Sequence, residues 1–470
     1  MPFGLATAPY VFTKLLKPVI TGLRRQGYFS VIYIDDILLV GRSFEECQEN
    51  VRVTYSLLQK LGFPINDEKC QLIPNNKCKY IGFWFDSLSM TIELPKEKGL
   101  KVKQMVSKYS GIGRCKIRAF SEFVGTIVSC CPAVRYGLGH TKSFERARYL
   151  ALKQNNENYD SYMTLSQDLQ SDLIWWNRVI LSANNSIKTP RYCREIFTDA
   201  SLSGWGVACG SERSHGFWSK EERKNHINVL ELKTALFGLK CFADNLRNCD
   251  ILLRVDNTTA VAYINRMGGV RFKELNCLAR SLWDWCETRG IWVFASFIST
   301  KENTEADFES RRLEPETEFE LSKAAFCSIV RKFGKPEIDL FASRINSKCE
   351  KYVSWLRDPD SIAVDAFTIS WETNFFYAFP PFIVISRVLR KIRDENATGI
   401  LVVPDWPGQA WYPLFRALCV SEPIIFKPNS KLLLSSNREC HPLWRQITLV
   451  AAILSGNPSR LGTFPRNLLS

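Results

Sequence analysis

The chain has 470 residues, with 62 Lys or Arg against 48 Asp or Glu, so its formal net charge is +14. Apolar residues make up 46% and charged residues 23%, a globular composition that excludes a mainly disordered chain. The sequence has neither a run of the roughly 18–20 apolar residues that a spanning helix needs nor the pattern of a secretory signal. We therefore expect an intracellular protein of the cytoplasm or nucleus, with several domains, no membrane contact and a polyanionic partner.

The sixteen cysteines do not predict a zinc site or a disulfide framework. No CxxC occurs, the only adjacent pair is Cys130-Cys131, and the chain has just four histidines. Because zinc sites need clustered Cys and His ligands, we expect scattered reduced thiols, as is usual inside cells.

The first region contains two apolar runs around an acidic turn. The stretch YFSVIYIDDILLVG (Tyr28–Gly41) predicts a β-hairpin, and VRVTYSLLQKLGF predicts a following helix that stops at Gly62 and Pro64. Asp35 and Asp36 stand together at the hairpin tip. Adjacent carboxylates repel each other and favour a bound divalent cation. The alternative is an ordinary acidic β-turn, since Asp is a common turn residue.

The neighbours of this hairpin occur in a familiar order. MPFGLATAPYVFTKLLKPV precedes YIDD, and LGFPINDEKCQL and KYIGFWFDS follow it. This order resembles reverse transcriptases, and the flanking residues look most like the DIRS type of retrotransposon, with Ty3-like elements next. The resemblance implies a partial polymerase palm at residues 1–90 and a thumb and connection at residues 91–190. It also implies a template RNA and a primer DNA as partners.

By this resemblance, Asp35 and Asp36 match the catalytic pair that holds Mg²⁺ (or Mn²⁺). The residues that match contacts to template, nucleotide, pyrophosphate or primer are Pro2, Phe3, Gly4, Ala8, Pro9, Tyr33, Lys69, Tyr80, Ile81 and Gly82. Reverse transcriptases also use a carboxylate on an earlier strand and a fingers subdomain, and neither has a counterpart here. Because two-metal phosphoryl transfer needs ligands from both strands, we expect that this chain alone does not polymerise.

Residues 91–190 are predicted to be mainly helical, with polar loops at 155–161 and 184–190. Between Lys96 and Arg118 the chain has eight Lys or Arg and one acidic residue, Glu97. These cations either contact a phosphate backbone, as the thumb position implies, or form a solvated helix face.

From Arg191 to Arg312 the predicted order is strand, strand, helix, strand, helix, helix, strand, helix, which indicates an α/β domain with a mixed sheet. Carboxylates stand at strand ends and on helices of this region, namely Asp199, Glu231, Asp256 and Asp307. If they converge, their repulsion favours divalent cations that could cleave a phosphodiester. Individually, each could instead be a turn, cap or helix-dipole residue.

Together, these four acids resemble the ribonuclease H domain of the same retroelements. The blocks FTDASLSGWG, HINVLELKTAL, VDNTTAVAYI and NTEADFESR carry the resemblance across residues 191–315. It implies Mg²⁺- or Mn²⁺-dependent cutting of the RNA strand in RNA–DNA hybrids, with all four acids as catalytic metal ligands. Two departures are Phe297, near the position of a common histidine, and the altered ending FESRR.

The acidic run Leu313–Lys323 is predicted to be a linker, and residues 324–470 to be a second α/β unit with an irregular end. Its strand candidates are EIDLFAS and GILVVPDW, and IVISRVLRKIRDE is a helix candidate. This unit resembles the methyltransferase-like domain of DIRS-type elements, which is distantly related to DNA adenine methyltransferases. Pro380, Pro381 and Phe382 fit the base-gripping turn of those enzymes, but Phe379 replaces its polar residue. Asp339 either contacts S-adenosylmethionine or caps a strand. We expect a noncatalytic module.

The sequence as a whole predicts an α/β and α+β multidomain fold with a partial polymerase palm and thumb, a ribonuclease H-like mixed sheet with helices and a C-terminal α/β domain. The expected function is that of a retrotransposon reverse transcriptase fragment with ribonuclease H. The alternatives are a noncatalytic nucleic-acid-binding relic of a transposable element and an adenine methyltransferase with a fused domain, against which Phe379 speaks.

Overall fold

The computed structural model describes residues 5–312, 319–435 and 441–457. The chain divides into two compact units, one ending at Pro190 and the other beginning at Arg191. Both combine helices with sheets, which confirms the predicted α/β and α+β multidomain fold. Within these ranges no helix is both long and apolar enough to cross a membrane. Three predicted substrate contacts, Pro2, Phe3 and Gly4, lie outside the described residues.

The first unit alternates helices with short strands. In chain order they are α1 (Ala8–Arg25), β1 (Phe29–Tyr33), β2 (Asp36–Val40), α2 (Phe44–Lys60), β3 (Lys77–Tyr80), β4 (Phe83–Asp86), β5 (Thr91–Glu93), α3 (Lys96–Ser110), β6 (Arg114–Lys116), α4 (Ile117–Val128), α5 (Lys142–Gln154), β7 (Tyr162–Thr164), α6 (Gln170–Val179) and β8 (Asn184–Ser186).

The predicted hairpin is present as β1 and β2, which pair from Phe29↔Val40 to Tyr33↔Asp36. A two-stranded hairpin is marginally stable by itself, so its contacts with α2 matter. Asn50 of α2 is buried and donates hydrogen bonds through Nδ2 to the carbonyls of Phe29 (2.8 Å) and Val40 (3.1 Å). One amide therefore binds both strands at the open end of the hairpin.

Removing this amide should loosen the hairpin. We expect Asn50→Ala to destabilise the first unit by about 1–3 kcal/mol, because the hairpin loses two part-buried hydrogen bonds from this amide. Urea unfolding measures the change. Gln48→Ala is a matched control, since Gln48 is exposed on the same helix. Equal stability of the two variants would contradict the role assigned to Asn50.

A second sheet of the first unit has the strand order β3-β4-β5-β8. Ile81 (φ 42°) and Gly82 (φ 81°) connect β3 to β4, and two successive left-handed residues are typical of a tight type I′ hairpin turn.

The prediction of a loop at 184–190 is wrong in part, because Asn184–Ser186 form β8 and pair with β5. This edge strand has only polar side chains, so no apolar alternation reveals it.

The second unit contains two larger sheets. Its elements are β9 (Tyr192–Ala200), β10 (Gly204–Cys209), β11 (Glu212–Phe217), α7 (Ile227–Ala243), β12 (Asp250–Val255), α8 (Thr258–Asn265), α9 (Lys273–Glu287), β13 (Trp292–Phe297), α10 (Thr304–Arg311), β14 (Phe319–Leu321), α11 (Lys323–Phe333), β15 (Ile338–Asp339), β16 (Lys351–Ser354), β17 (Ala363–Val364), β18 (Phe376–Ala378), α12 (Ile385–Asp394), β19 (Thr398–Pro404), α13 (Tyr412–Leu418), β20 (Ile424–Phe426), β21 (Leu433–Ser435) and β22 (Leu449–Ser455).

Residues 191–312, here named the five-stranded half, form a mixed sheet of order β11-β10-β9-β12-β13. Strands β9, β12 and β13 are parallel, whereas β10 and β11 are antiparallel to their neighbours. The predicted order of elements lacked one strand, β11. Its sequence ERSHGF is too polar to indicate a strand by alternation.

Residues 319–457, here named the seven-stranded half, form a sheet of order β17-β16-β15-β18-β19-β22-β20. The five strands from β17 to β19 are parallel, and β22 is antiparallel to both of its neighbours. Two predictions are wrong here. Phe319–Leu321, placed in a linker, form β14 paired with β21. Leu449–Ser455, expected to be irregular, form a buried strand.

Ion pairs join the two halves of the second unit. Glu222 of the five-stranded half is buried and accepts two hydrogen bonds of 2.9 Å from the guanidinium of Arg344 in the seven-stranded half. Lys233 also pairs with Glu222. The guanidinium of Arg344 lies 4.6 Å from the ring centroid of Phe237. The carboxylate of Glu222 is thus paired with two cationic side chains, and its bond to Arg344 links the two halves.

Candidate active site

Three of the predicted acidic residues meet at one edge of the five-stranded sheet. Asp199, Glu231 and Asp256 each offer a carboxylate oxygen that lies within 4.8 Å of the other two. The sheet explains this, because β9 and β12 are parallel neighbours with Thr198 paired to Val255. Asp199 follows Thr198 and Asp256 follows Val255, so both acids reach the same edge.

The caps of two helices bring Glu231 to the same place. His226 caps the start of α7, because its Nδ1 accepts the backbone N–H of Asn228 (3.1 Å). Asn257 caps α8 by accepting the N–H of Ala260 (2.9 Å), and its Nδ2 donates to Oδ1 of Asn228 (2.9 Å). The starts of α7 and α8 are therefore tied together. Glu231 lies one turn into α7, next to the end of β12.

Two of these carboxylates are buried without adequate partners. Asp199 and Glu231 are 3% and 4% exposed, and Oδ2 of Asp199 and Oε2 of Glu231 have no hydrogen-bond partner. Burial raises the pKa of Asp199 to about 6, with Asp256 and Asp307 adding to the effect. Burial raises the pKa of Glu231 to about 9, with Asp256 and Asp199 adding. Close, desolvated carboxylates of this kind are costly for the protein alone.

The donor set fits a hard divalent cation. Buried polar oxygens in folded proteins nearly always have a partner, whereas this acidic cluster contains two unpartnered buried oxygens. Carboxylate oxygens are the ligands that suit Mg²⁺ and Mn²⁺. A bound cation would offset both the burial and the mutual repulsion of Asp199, Glu231 and Asp256.

Asp307, the fourth predicted ligand, lies outside this group of three. It stands in the first turn of α10, close enough to Asp199 to raise its pKa. Its Oδ1 accepts hydrogen bonds from Nε (3.0 Å) and Nη2 (2.7 Å) of Arg311. The four-residue spacing of Asp307 and Arg311 on a helix could have revealed this pair, which the sequence analysis missed.

The loop between β13 and α10 also contributes to the site. Thr300 donates a hydrogen bond through Oγ1 to Oδ2 of Asp256 (3.1 Å). Buried Asn303 holds the loop by donating to the carbonyl of Thr198 (3.0 Å). Phe297 is half-exposed at the end of β13. Nothing in the polar run that contains Thr300 and Asn303 marks either residue, so sequence reasoning missed both.

The hairpin of the first unit has a different character. Asp35 and Asp36 are exposed at its turn, and among the described residues no cluster of three potential ligands includes either of them. Tyr80, one of the predicted primer contacts, reaches the hairpin. Its hydroxyl lies 3.2 Å from the carbonyl of Val31 and 3.4 Å from that of Asp36.

Most of the other predicted substrate contacts that the structure describes in the first unit are exposed. Pro9 is exposed in the first turn of α1, and Lys69 is exposed in a short 3₁₀ helix. Tyr33 is 60% exposed, and Gly82 occupies the turn after β3. These positions are open to a ligand, but their geometry alone does not define a binding site.

Comparison with known proteins gives several relationships. Residues 1–85 match the family model described as reverse transcriptase (RNA-dependent DNA polymerase). The genome polyprotein of Petunia vein clearing virus is 28% identical over 120 residues, which are 24% of this chain and 5% of that protein. The retrovirus-related Pol polyprotein from transposon opus of Drosophila melanogaster is 18% identical over 256 residues, which are 53% of this chain and 24% of that protein.

A solved structure of the foamy viral protease-reverse transcriptase in complex with RNA/DNA hybrid is also similar. It covers 63% of this chain and 39% of its own, at 12% identity and a TM-score of 0.35. The chain spans only 5% to 24% of the length of the two curated relatives described above. The sequence thus has a reverse transcriptase domain match at residues 1–85 and retroviral and retrotransposon Pol polyproteins among its homologues.

Proposed function

We propose that this chain is a segment of a DIRS-type retrotransposon Pol polyprotein and that its five-stranded half hydrolyses the RNA strand of RNA–DNA hybrids with Mg²⁺ or Mn²⁺. The observation that carries the proposal is the cluster of Asp199, Glu231 and Asp256, with its two unpartnered buried oxygens. The net charge of +14 supports a polyanionic substrate. In a noncatalytic relic, no function would offset the destabilisation that this cluster of buried carboxylates causes.

The residues of the chain have separate tasks in this proposal. When bound, a divalent cation supplies the Lewis-acid chemistry that phosphodiester hydrolysis needs. Asp199, Glu231 and Asp256 would hold it, and Asp307 would complete the site from α10. Thr300 orients Asp256 through its hydrogen bond. Arg311 pairs with Asp307, and its guanidinium is a positive charge that a nucleic-acid phosphate could approach.

A cleavage assay tests this proposal. We expect the purified chain to cut the labelled RNA strand of an RNA–DNA hybrid with Mg²⁺, and not with EDTA. A DNA duplex of the same sequence should stay intact. Asp199→Asn protein, purified in parallel, controls for contaminating nuclease from the expression host. Intact hybrid after incubation with Mg²⁺ and with Mn²⁺, or equal cutting in EDTA, would contradict the proposal.

For the first unit, we propose that Asp35 and Asp36 are the carboxylate pair of the polymerase segment, acting on template RNA and primer DNA. The match of residues 1–85 to the reverse transcriptase family supports this, as does the contact of Tyr80 with the hairpin. The pair has no third ligand beside it in the described ranges. We therefore expect no primer extension by this chain alone with Mg²⁺ and dNTPs, and robust extension would contradict that expectation.

For the seven-stranded half, we propose a methyltransferase-like but noncatalytic module. Its sheet order reverses between β15 and β18, and open α/β sheets bind ligands at such a point, beyond the carboxyl ends of the strands. A cavity of about 810 Å³ lies there, lined in part by Phe341, Trp355 and Phe379. This placement supports the methyltransferase-like resemblance.

The chemistry of that cavity supports the noncatalytic interpretation. Phe379 stands where a polar residue would grip an amino group, and its ring packs 6.4 Å from that of Phe382. Asp339 is buried and accepts the backbone N–H groups of Phe341 (3.3 Å) and Lys348 (3.0 Å), as a strand-capping residue does. Calorimetric titration of the full chain with S-adenosylmethionine should show no measurable binding, and incubation with S-adenosylmethionine and DNA should give no methyl transfer to adenine. Measurable binding or methyl transfer would contradict the proposal.

A further inference from the structure

Helix α10 lies across the five-stranded sheet at a glycine. The register places Asp199, Gly206 and His215 in one row over β9, β10 and β11, and directly paired residues of antiparallel strands present their side chains on the same face. A Cβ atom at Gly206 would lie 2.2 Å from the backbone N of Ser310 and 2.3 Å from the carbonyl O of Ala306. The backbone of α10 therefore occupies the space above the middle of this row.

Asp199 and His215, the residues at the two ends of this row, lie on opposite sides of α10. Asp307 and Glu309 are two residues apart, which is about 200° around a helix. Asp307 is on the side of Asp199, whose pKa it raises. Glu309 is on the side of His215, where its Oε2 lies 2.6 Å from Nδ1 of the imidazole. The side chains of His215 and Glu309 are only 10% and 4% exposed.

We propose that His215 is a positioning residue for the cation site, because its hydrogen bond to Glu309 fixes the rotation of α10 and so the position of Asp307. The inference rests on the proposed cation-dependent function. The glycine sets how closely α10 approaches the sheet, but a close approach alone leaves the helix free to roll about its axis. A directional bond on the side opposite Asp307 removes that freedom. Ser201, which donates to the carbonyl of Ser310 (2.7 Å), fixes the end of the helix.

If His215 and Glu309 only stabilised the fold, apolar side chains could replace both without weakening cation binding. Removing one partner would leave a buried charge and could unfold the protein, whereas replacing both is often nearly neutral for stability. The double variant His215→Leu/Glu309→Leu therefore keeps the packing and removes the directional bond, together with the longer 3.7 Å contact between Oε1 of Glu309 and Nη1 of Arg312. His215→Asn is the conservative variant, since the Asn amide N can take the place of Nδ1.

The test is calorimetric binding of Mn²⁺ to the full chain without nucleic acid, together with kcat and KM for hybrid cleavage. We expect the double variant to keep the wild-type Tm within a few degrees and to bind Mn²⁺ about 10–100-fold more weakly, as for losses of supporting residues around a metal site. Its kcat should fall with little change in KM. His215→Asn should retain Mn²⁺ affinity within about threefold of the wild type, by the same reasoning.

The outcomes separate the two proposals. If the wild type binds Mn²⁺ and the folded double variant binds it equally well, His215 has no positioning role and the proposed function stands. If the double variant unfolds, the test depends on His215→Asn. Weak Mn²⁺ binding by this variant, at a wild-type Tm, would also overturn the positioning role of His215. If the wild type itself binds no Mn²⁺, the proposed function fails, and the inference fails with it.

Discussion

Asp199→Asn should abolish hybrid cleavage, lowering the rate at least about 10³-fold, which corresponds to about 4 kcal/mol of transition-state stabilisation. Asp199 is the most central of the clustered acids, since Asp256 and Asp307 both raise its pKa and Glu231 shares its group of oxygens. An amide at this position removes one anionic ligand without changing the volume of the side chain.

The same variant should be at least as stable as the wild type in metal-free buffer. A buried carboxylate with an unpartnered oxygen beside two other acids destabilises the fold, and the amide carries no charge. Asp250→Asn is a matched control. Asp250 is the first residue of β12, at the end of the strand opposite to Asp256. Thermal unfolding and a cleavage time course measure both effects. Full activity of Asp199→Asn would remove this acid from the proposed site.

Glu222→Gln should destabilise the second unit by about 3 kcal/mol at pH 7. Burial raises the pKa of Glu222, but the hydrogen bonds and charge of Arg344, with hydrogen bonds from Lys233 and the Ser219 backbone, outweigh it and lower the pKa from 4.5 to about 2. The amide cannot pair with two cations, so Arg344 and Lys233 would be left partly buried beside a neutral group. Glu221→Gln is the control, because Glu221 is exposed and pairs with Lys224, which lies three residues further along the chain.

The pH dependence of this effect has a definite sign. A carboxylate whose pKa is lower in the folded state than in the unfolded state stabilises the fold above the unfolded value. For Glu222 this stabilisation is complete above pH 4.5 and disappears as the pH falls toward 2. The difference in free energy of unfolding between wild type and Glu222→Gln should shrink over that interval. A difference that stays constant from pH 7 to pH 3 would contradict the assigned pKa.

A local pattern, apolar runs around an acidic turn, was sufficient to predict the hairpin of β1 and β2. The approach of the acids at the ends of β9 and β12 was expected from the general rule that parallel strand ends meet at one edge of a sheet, together with the family resemblance. The strand β11 was missed because its residues are polar. The strand β22 was missed because a short apolar run does not by itself distinguish a strand from other buried segments.

Long-range partners could not be predicted in this way. His215 and Glu309 are separated by 94 positions, and Glu222 and Arg344 by 122. Neither pair has a local spacing that distinguishes it from an exposed charge or a solvated imidazole. Only the register of β9, β10 and β11 and the close approach of α10 at Gly206 bring the first pair together.

The most direct measurement is Mn²⁺ binding to the full chain by electron paramagnetic resonance, comparing the wild type with the double variant Asp199→Asn/Glu231→Gln. The wild type should take up Mn²⁺ from solution, and the folded variant should lose that binding, because both buried anionic ligands are replaced. Equal uptake by the two proteins, or none by the wild type, would show that these carboxylates do not form a cation site.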